Sequence, residues 1–211
     1  MMNEREPYIA GWKKPSDWHC FKDRLVNEPN QALWQQAFDE YFMQRLNLRY
    51  FNPIKILQEN GTFAGEGFSI MAILCTLVEF LESTFRGLKY RFVRSKKDLA
   101  QFEYNMSSDI FVDFLSKRKP FSTHFDKDLA FEFYKNVRCG LLHEPHTKGG
   151  WTIWAKSPNG TIVEKDRKTV YRDNFRDAFD TCIAEYGGKL LTERELQEAF
   201  IRKFDFICME T

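Results

Sequence analysis

The sequence predicts an all-α, up-and-down helical bundle carrying one small β-hairpin insert. Three observations predict it. Apolar residues recur at helical spacing along six separate stretches, only 11 Gly and 7 Pro interrupt 211 residues, and a single short stretch reads as strands. With 43% hydrophobic residues the chain buries a core rather than staying disordered, and 21 Phe suit both the space between packed helices and a self-association surface.

The first 29 residues carry Pro7, Pro15 and Pro29 with Trp12, Trp18 and Phe21 between them. They read as an irregular arm docked on the bundle by its rings, leaving 30–211 as the helical domain. From Gln31 to about Arg49, Leu33, Trp34, Ala37, Phe38, Tyr41, Phe42 and Leu46 form one stripe, and Asn52-Pro53 closes the helix. Gly67 to about Tyr90 is apolar nearly all round, as a central helix would be. Ser108–Leu115 makes a shorter helix. Asp126 then caps a run with Ala130, Phe133, Tyr134, Val137 and Leu141 on one face. That run ends near His143, because Glu144 precedes Pro145 and is pushed out of the helical region.

The hairpin is expected at about 151–165, with strands Trp151–Ala155 and Thr161–Val163 around a Ser157–Gly160 turn. Asp173 caps the next helix, which Gly187-Gly188 stops. Thr192 and Glu195 form a capping box for the last, with Leu196, Phe200, Phe204 and Ile207 inward.

The net charge of +1 excludes a globally basic nucleic-acid wrapper but leaves room for a local basic face. Five scattered Cys without a Cys-x-x-Cys pair argue against a disulfide framework or a thiolate zinc site and suit a reducing cytoplasm. The start of the chain lacks an apolar signal core. The most apolar stretch, Gly67–Val78, meets Glu79 well before the ~20 residues a bilayer requires, so no membrane is expected. Motifs of P-loop NTPases, Gly-x-Ser-x-Gly hydrolases and two-metal nucleases are missing.

Of four His, His143 has company: Arg138 five positions earlier and Glu144 beside it. In a straight helix that offset turns about 140°, so the side chains meet only if the helix loosens near Gly140 or a second copy contributes. A two-fold dimer would gather two Arg and two His in one cleft. Cys139, His143 and His146, broken by Pro145, lack the spacing of a common zinc site, so no metal or cofactor is expected. His19 and His124 are isolated.

The stretch FYKNVRCGLLHE, with its Arg-x4-His at a helix end, resembles the HEPN family of small helical-bundle domains. The resemblance implies a metal-independent endoribonuclease, a toxin or phage-defence effector working as a homodimer on RNA, with an antitoxin or other protein as a possible partner. It implies Arg138 and His143 as the catalytic pair; Glu79, a candidate partner of Arg138, and Glu144, beside His143, are the supporting residues read from the sequence itself. The chemistry suits the residues: His143 is a base for the 2′-hydroxyl and Arg138 a clamp for the phosphorane, leaving a 2′,3′-cyclic phosphate and sparing DNA. The sequence departs from many active members in having Cys139 after the Arg, where they carry Asn, Asp or His. The alternative is a non-catalytic HEPN module that binds RNA, a nucleotide or a protein. In it Arg138 pairs with a carboxylate and His143 caps the helix end. Glu79 is the better buried partner, whereas Glu82 reaches the edge of the central helix.

A second feature points to RNA. Between Phe85 and Lys97 lie Arg86, Lys89, Arg91, Arg94, Lys96 and Lys97, no acid, and the interleaved rings of Phe85, Tyr90 and Phe92. Arg86, Lys89, Arg91 and Arg94 are the expected RNA-binding residues. The competing reading is a solvated helix end with its rings turned into the core.

Overall fold

The computed structural model describes residues 6–62 and 64–209. The chain is predominantly helical with a few short strands. In chain order the elements are α1 (Pro15–Asn27), α2 (31–59), α3 (Glu66–Phe85), β1 (Lys89–Tyr90), β2 (Glu103–Tyr104), α4 (Ser107–Lys117), α5 (127–143), β3 (Thr152–Trp154), β4 (Val163–Glu164), β5 (Thr169–Tyr171), α6 (Arg172–Leu190) and α7 (Arg194–Met209). They gather into two compact units. One takes the chain up to Pro53, Ser83–Asn105 and the part from Tyr186 on; the other takes Ile54–Glu82 and Met106–Glu185.

In the first unit, the segment expected to be irregular holds the 13-residue helix α1. Pro15 opens it, where its missing N–H costs nothing, and Asp17 accepts from the Lys14 amide at 2.8 Å. Trp18 is fully buried, its ring 5.2 Å from those of Tyr41 and Phe204, and its Nε1 donates to Asp205 Oδ1 at 2.9 Å.

Asn30 caps α2, accepting from the Leu33 amide at 3.0 Å. The helix does not stop at Asn52-Pro53 but runs on to Glu59 through two π turns, Phe38–Met43 and Asn47–Phe51. The second lies just before Pro53. It widens the backbone where an α-helix would press the proline ring against a carbonyl one turn back. Gly187-Gly188 likewise fails to end α6, which continues to Leu190. A Cβ on Gly187 would sit 2.7 Å from Phe38 Cζ, so this glycine serves a close helix approach instead.

The central helix ends at Phe85 rather than Tyr90. Gly87 turns the chain at φ +63° beneath the Ala199 backbone, and β1 follows, pairing in parallel with β2. The expected capping box of α7 is displaced, since that helix starts at Arg194; Phe200 and Phe204 are buried along it.

In the second unit, α3 buries Ile70, Met71, Leu74, Leu77, Val78 and Leu81. This helix is long and apolar enough to cross a membrane by length and composition, but 61% of its apolar window is buried and Glu79 and Glu82 in it pair with arginines. Those features mark a core helix. The same unit holds a cluster of phenylalanines, with Phe133 and Phe175 stacked at 5.7 Å and Phe121 4.8 Å from Phe179.

The expected Trp151–Val163 hairpin is replaced by a different pairing. The sheet order is β3-β5-β4: β3 runs parallel to β5, and the antiparallel hairpin joins β4 to β5. The Ser157–Gly160 segment is a loop whose ends are tied elsewhere, Ser157 N donating to Asn174 Oδ1 at 2.8 Å. The fully buried side of the sheet is β5, whose Thr169, Val170 and Tyr171 a search for one alternating hairpin passes over.

Candidate functional site

Helix α5 carries both motif residues. Asp126 caps it, accepting from the Leu129 amide at 2.7 Å, and that amide with Lys165 holds the carboxyl below its ordinary value. The α turns Lys127–Phe133 give way to a π turn over Tyr134–Arg138, where the Cys139 amide reaches back to Tyr134 O. An α turn over Cys139–His143 follows, and Glu144 leaves the helix at φ −135°. The loosened turn therefore ends at Arg138 instead of falling near Gly140. The ordinary α geometry between Arg138 and His143 keeps the two side chains about 140° apart.

Arg138 Nη2 lies 3.5 Å from Glu79 Oε2, and the two side chains are 18% and 20% exposed. Ser107 Oγ donates to the other Glu79 oxygen at 2.7 Å. The guanidinium lies 5.2 Å from the Tyr134 ring centre, and burial pushes the Tyr134 hydroxyl above its ordinary value. Cys75, fully buried nearby, has its thiol pushed up to about 12 by burial, with Arg138 pulling the other way. Arg138 is thus positioned by a Ser107–Glu79 relay and a ring. The ring, one turn earlier on the same helix, is legible in the sequence; Ser107, far away in the chain, is not.

His143 is exposed at the last position of the helix, and among the described residues its imidazole has no side-chain hydrogen bond. Glu144 pairs with Lys148 and lies 3.7 Å from His146 Nε2. Lys148 is the main reason its carboxyl sits below the ordinary value. Glu144 therefore serves its own loop rather than Arg138. That loop folds back onto α5: the Lys148 amide donates to Asn136 O at 2.8 Å, and the His146 carbonyl occupies the space a Cβ on Gly140 would need. Glu79 meets Arg138 as expected, but Glu82, expected at the edge of the central helix, is the more deeply buried of the two glutamates. Glu82 is 2% exposed and accepts from Arg118 Nε and Nη2 at 2.8 and 3.1 Å, whereas Glu79 keeps some contact with solvent.

The basic stretch belongs to the first unit and is a loop rather than a helix end. Phe85 turns inward and stacks on Tyr186 at 4.2 Å, but Tyr90 and Phe92 are exposed. Of the four expected RNA-binding residues, Arg91 is tied to Glu103 at 3.0 Å and Lys89 lies over the Phe206 ring at 5.9 Å, while Arg86 and Arg94 are exposed. Cys139, His143 and His146 do not form a metal-holding group among the described residues. His19 is exposed, and burial holds the His124 ring below its ordinary value.

The fold and this cluster define a predominantly helical protein with an arginine held by a glutamate and a histidine exposed at the same helix end. No family model, curated protein or solved structure matches the chain.

Proposed function

We propose that the chain is a HEPN-like domain that cleaves RNA without a metal ion, as a homodimer in a toxin or phage-defence setting. The observation that carries this reading is the division of labour at the end of α5, with Arg138 held in place by Glu79 and His143 left open to a substrate. His143 takes the proton of the 2′-hydroxyl, the freed oxygen attacks phosphorus as the P–O5′ bond breaks, and the 5′-oxygen leaves with the downstream fragment, protonated from water, so that a 2′,3′-cyclic phosphate remains. Arg138 donates to the non-bridging oxygens as charge builds there. Because about 140° of helix separates the two groups within one chain, the cleft is completed by a second copy. Leu142, exposed beside His143, then lies at the interface.

A non-catalytic HEPN module binding RNA, a nucleotide or a protein is the second reading. The Arg138–Glu79 pair favours it, because the carboxylate already answers the arginine's charge.

The test incubates the protein in EDTA with total RNA and a matching DNA beside a folded His143→Ala control. Cleavage of RNA only, with cyclic phosphate ends and a loss of about 100-fold or more in the control, is the expected result. Intact RNA with a well-folded dimer favours the binding module, and a monomer at micromolar concentration by light scattering removes the shared cleft.

A further inference from the structure

The stretch from Arg86 through β1 into the loop that leads to β2 exposes rings and cations together. A lone exposed ring is ordinary on a protein surface. Here Phe92 is 83% and Tyr90 46% exposed, two residues apart on extended chain whose ladder continues through the Arg91 amide to Tyr104 O at 2.8 Å. A two-residue step in extended chain returns the side chains to one side, about 6.6 Å apart. Arg91, between them, pairs with Glu103. Tyr104 braces Tyr90 edge-on at 5.6 Å. Arg86, Arg94, Lys96 and Lys97 flank the rings along the chain and are exposed, and the first acid after them is Asp98. The Arg202 guanidinium lies 3.9 Å from the Phe102 ring centre and reaches Arg86 O at 3.4 Å, adding a further cation to the same unit.

We propose that this stretch is a platform for single-stranded nucleic acid, with Tyr90 and Phe92 stacking on bases and Arg86, Arg94, Lys96 and Lys97 holding phosphates. Rings offered singly on extended chain match unpaired bases, whose faces a duplex hides. An anionic membrane surface is the weaker fit, since interfacial binding uses the wide apolar face of an amphipathic helix and this stretch has none. The platform works whether or not the chain cleaves what it holds.

The experiment uses the full chain carrying His143→Ala, so that binding is read without cleavage, and fluorescence anisotropy at low salt. The probes are a labelled single-stranded RNA of about 12 nucleotides, the DNA of the same sequence, the corresponding duplex and phosphatidylserine vesicles. Expected are tighter binding to the single strands than to the duplex, weakening with salt, a loss of about tenfold in Phe92→Ala and a shallower salt dependence in Arg94→Glu/Lys97→Glu. Phe68→Ala, an exposed ring in the other unit, leaves binding unchanged. Circular dichroism checks that each variant is folded. Single-strand binding indifferent to Phe92→Ala, no binding at low salt, or Phe92-dependent binding to vesicles alone overturns the proposal. Cleavage failing while this binding persists overturns the nuclease reading only.

Discussion

Arg118 and Glu82 form a fork-to-fork pair, with both carboxylate oxygens taken at 2.8 and 3.1 Å and the glutamate 2% exposed. The neighbouring Arg138–Glu79 pair is single, longer at 3.5 Å and partly wet. Removing Arg118 takes two charged hydrogen bonds from a buried carboxylate, so Arg118→Met is expected to cost about 3 kcal/mol in urea unfolding, against about 1 kcal/mol for Arg138→Met. Equal costs would refute the contrast. The smaller value also means that lost activity in an Arg138 variant reports chemistry rather than unfolding.

The two adjacent glycines of α6 are expected to respond with opposite signs. Gly187→Ala drives a methyl into the Phe38 ring and destabilises by about 1–3 kcal/mol. Gly188→Ala meets nothing within 4 Å and stabilises by about 0.5–1 kcal/mol through lower chain entropy. Thermal melts of the two single variants decide it; a shift of the same sign in both would show that Gly187 is not a contact glycine.

Trp18 ties α1 into the first unit by its ring and its bond to Asp205. Trp18→Ala is expected to cost about 3–5 kcal/mol. A change under about 1 kcal/mol, the size of an exposed-site substitution, would mean that α1 is an ornament of the unit rather than part of its core.

Thiol reactivity should follow burial. Cys20 is exposed, Cys75 and Cys182 are buried, and burial pushes the Cys75 thiol up to about 12, so little thiolate exists at neutral pH. Iodoacetamide followed by mass spectrometry is expected to label Cys20 first and Cys75 only in denaturant. Early labelling of Cys75 would contradict its place inside the unit.

Acid should erase the benefit of the Asp126 cap. Its carboxyl is held below the ordinary 3.8, chiefly by the Leu129 amide, so its stabilisation is complete above that value and fades as pH falls toward the lower folded one. The Tm gap between the parent and Asp126→Ala is expected to narrow below about pH 4. A constant gap down to pH 3 would assign the cap no charge-dependent part.

Much of the helical content was legible because burial stripes repeat locally: the faces of α2, α5 and α7, the Asp126 cap and the exit at His143 all follow from neighbours within a turn or two. Glycine and proline misled where a long-range contact or a π turn overrode their usual meaning. Gly187 answers to Phe38, far away in the chain, and Pro53 is absorbed by the widened turn before it. The sheet was misread because parallel pairing of β3 with β5 is a non-local choice with no turn signal.

At the site, local spacing is enough to place an arginine and a histidine five residues apart at one helix end, whereas the position of the loosened turn, and with it the angle between them, is set in the folded chain. That Ser107 stands behind Glu79, and that Glu82 rather than Glu79 is the deeply buried glutamate, came from the folded chain. Those assignments depend on how helices distant in sequence pack and which charges they shut away from water, and only the folded chain sets that.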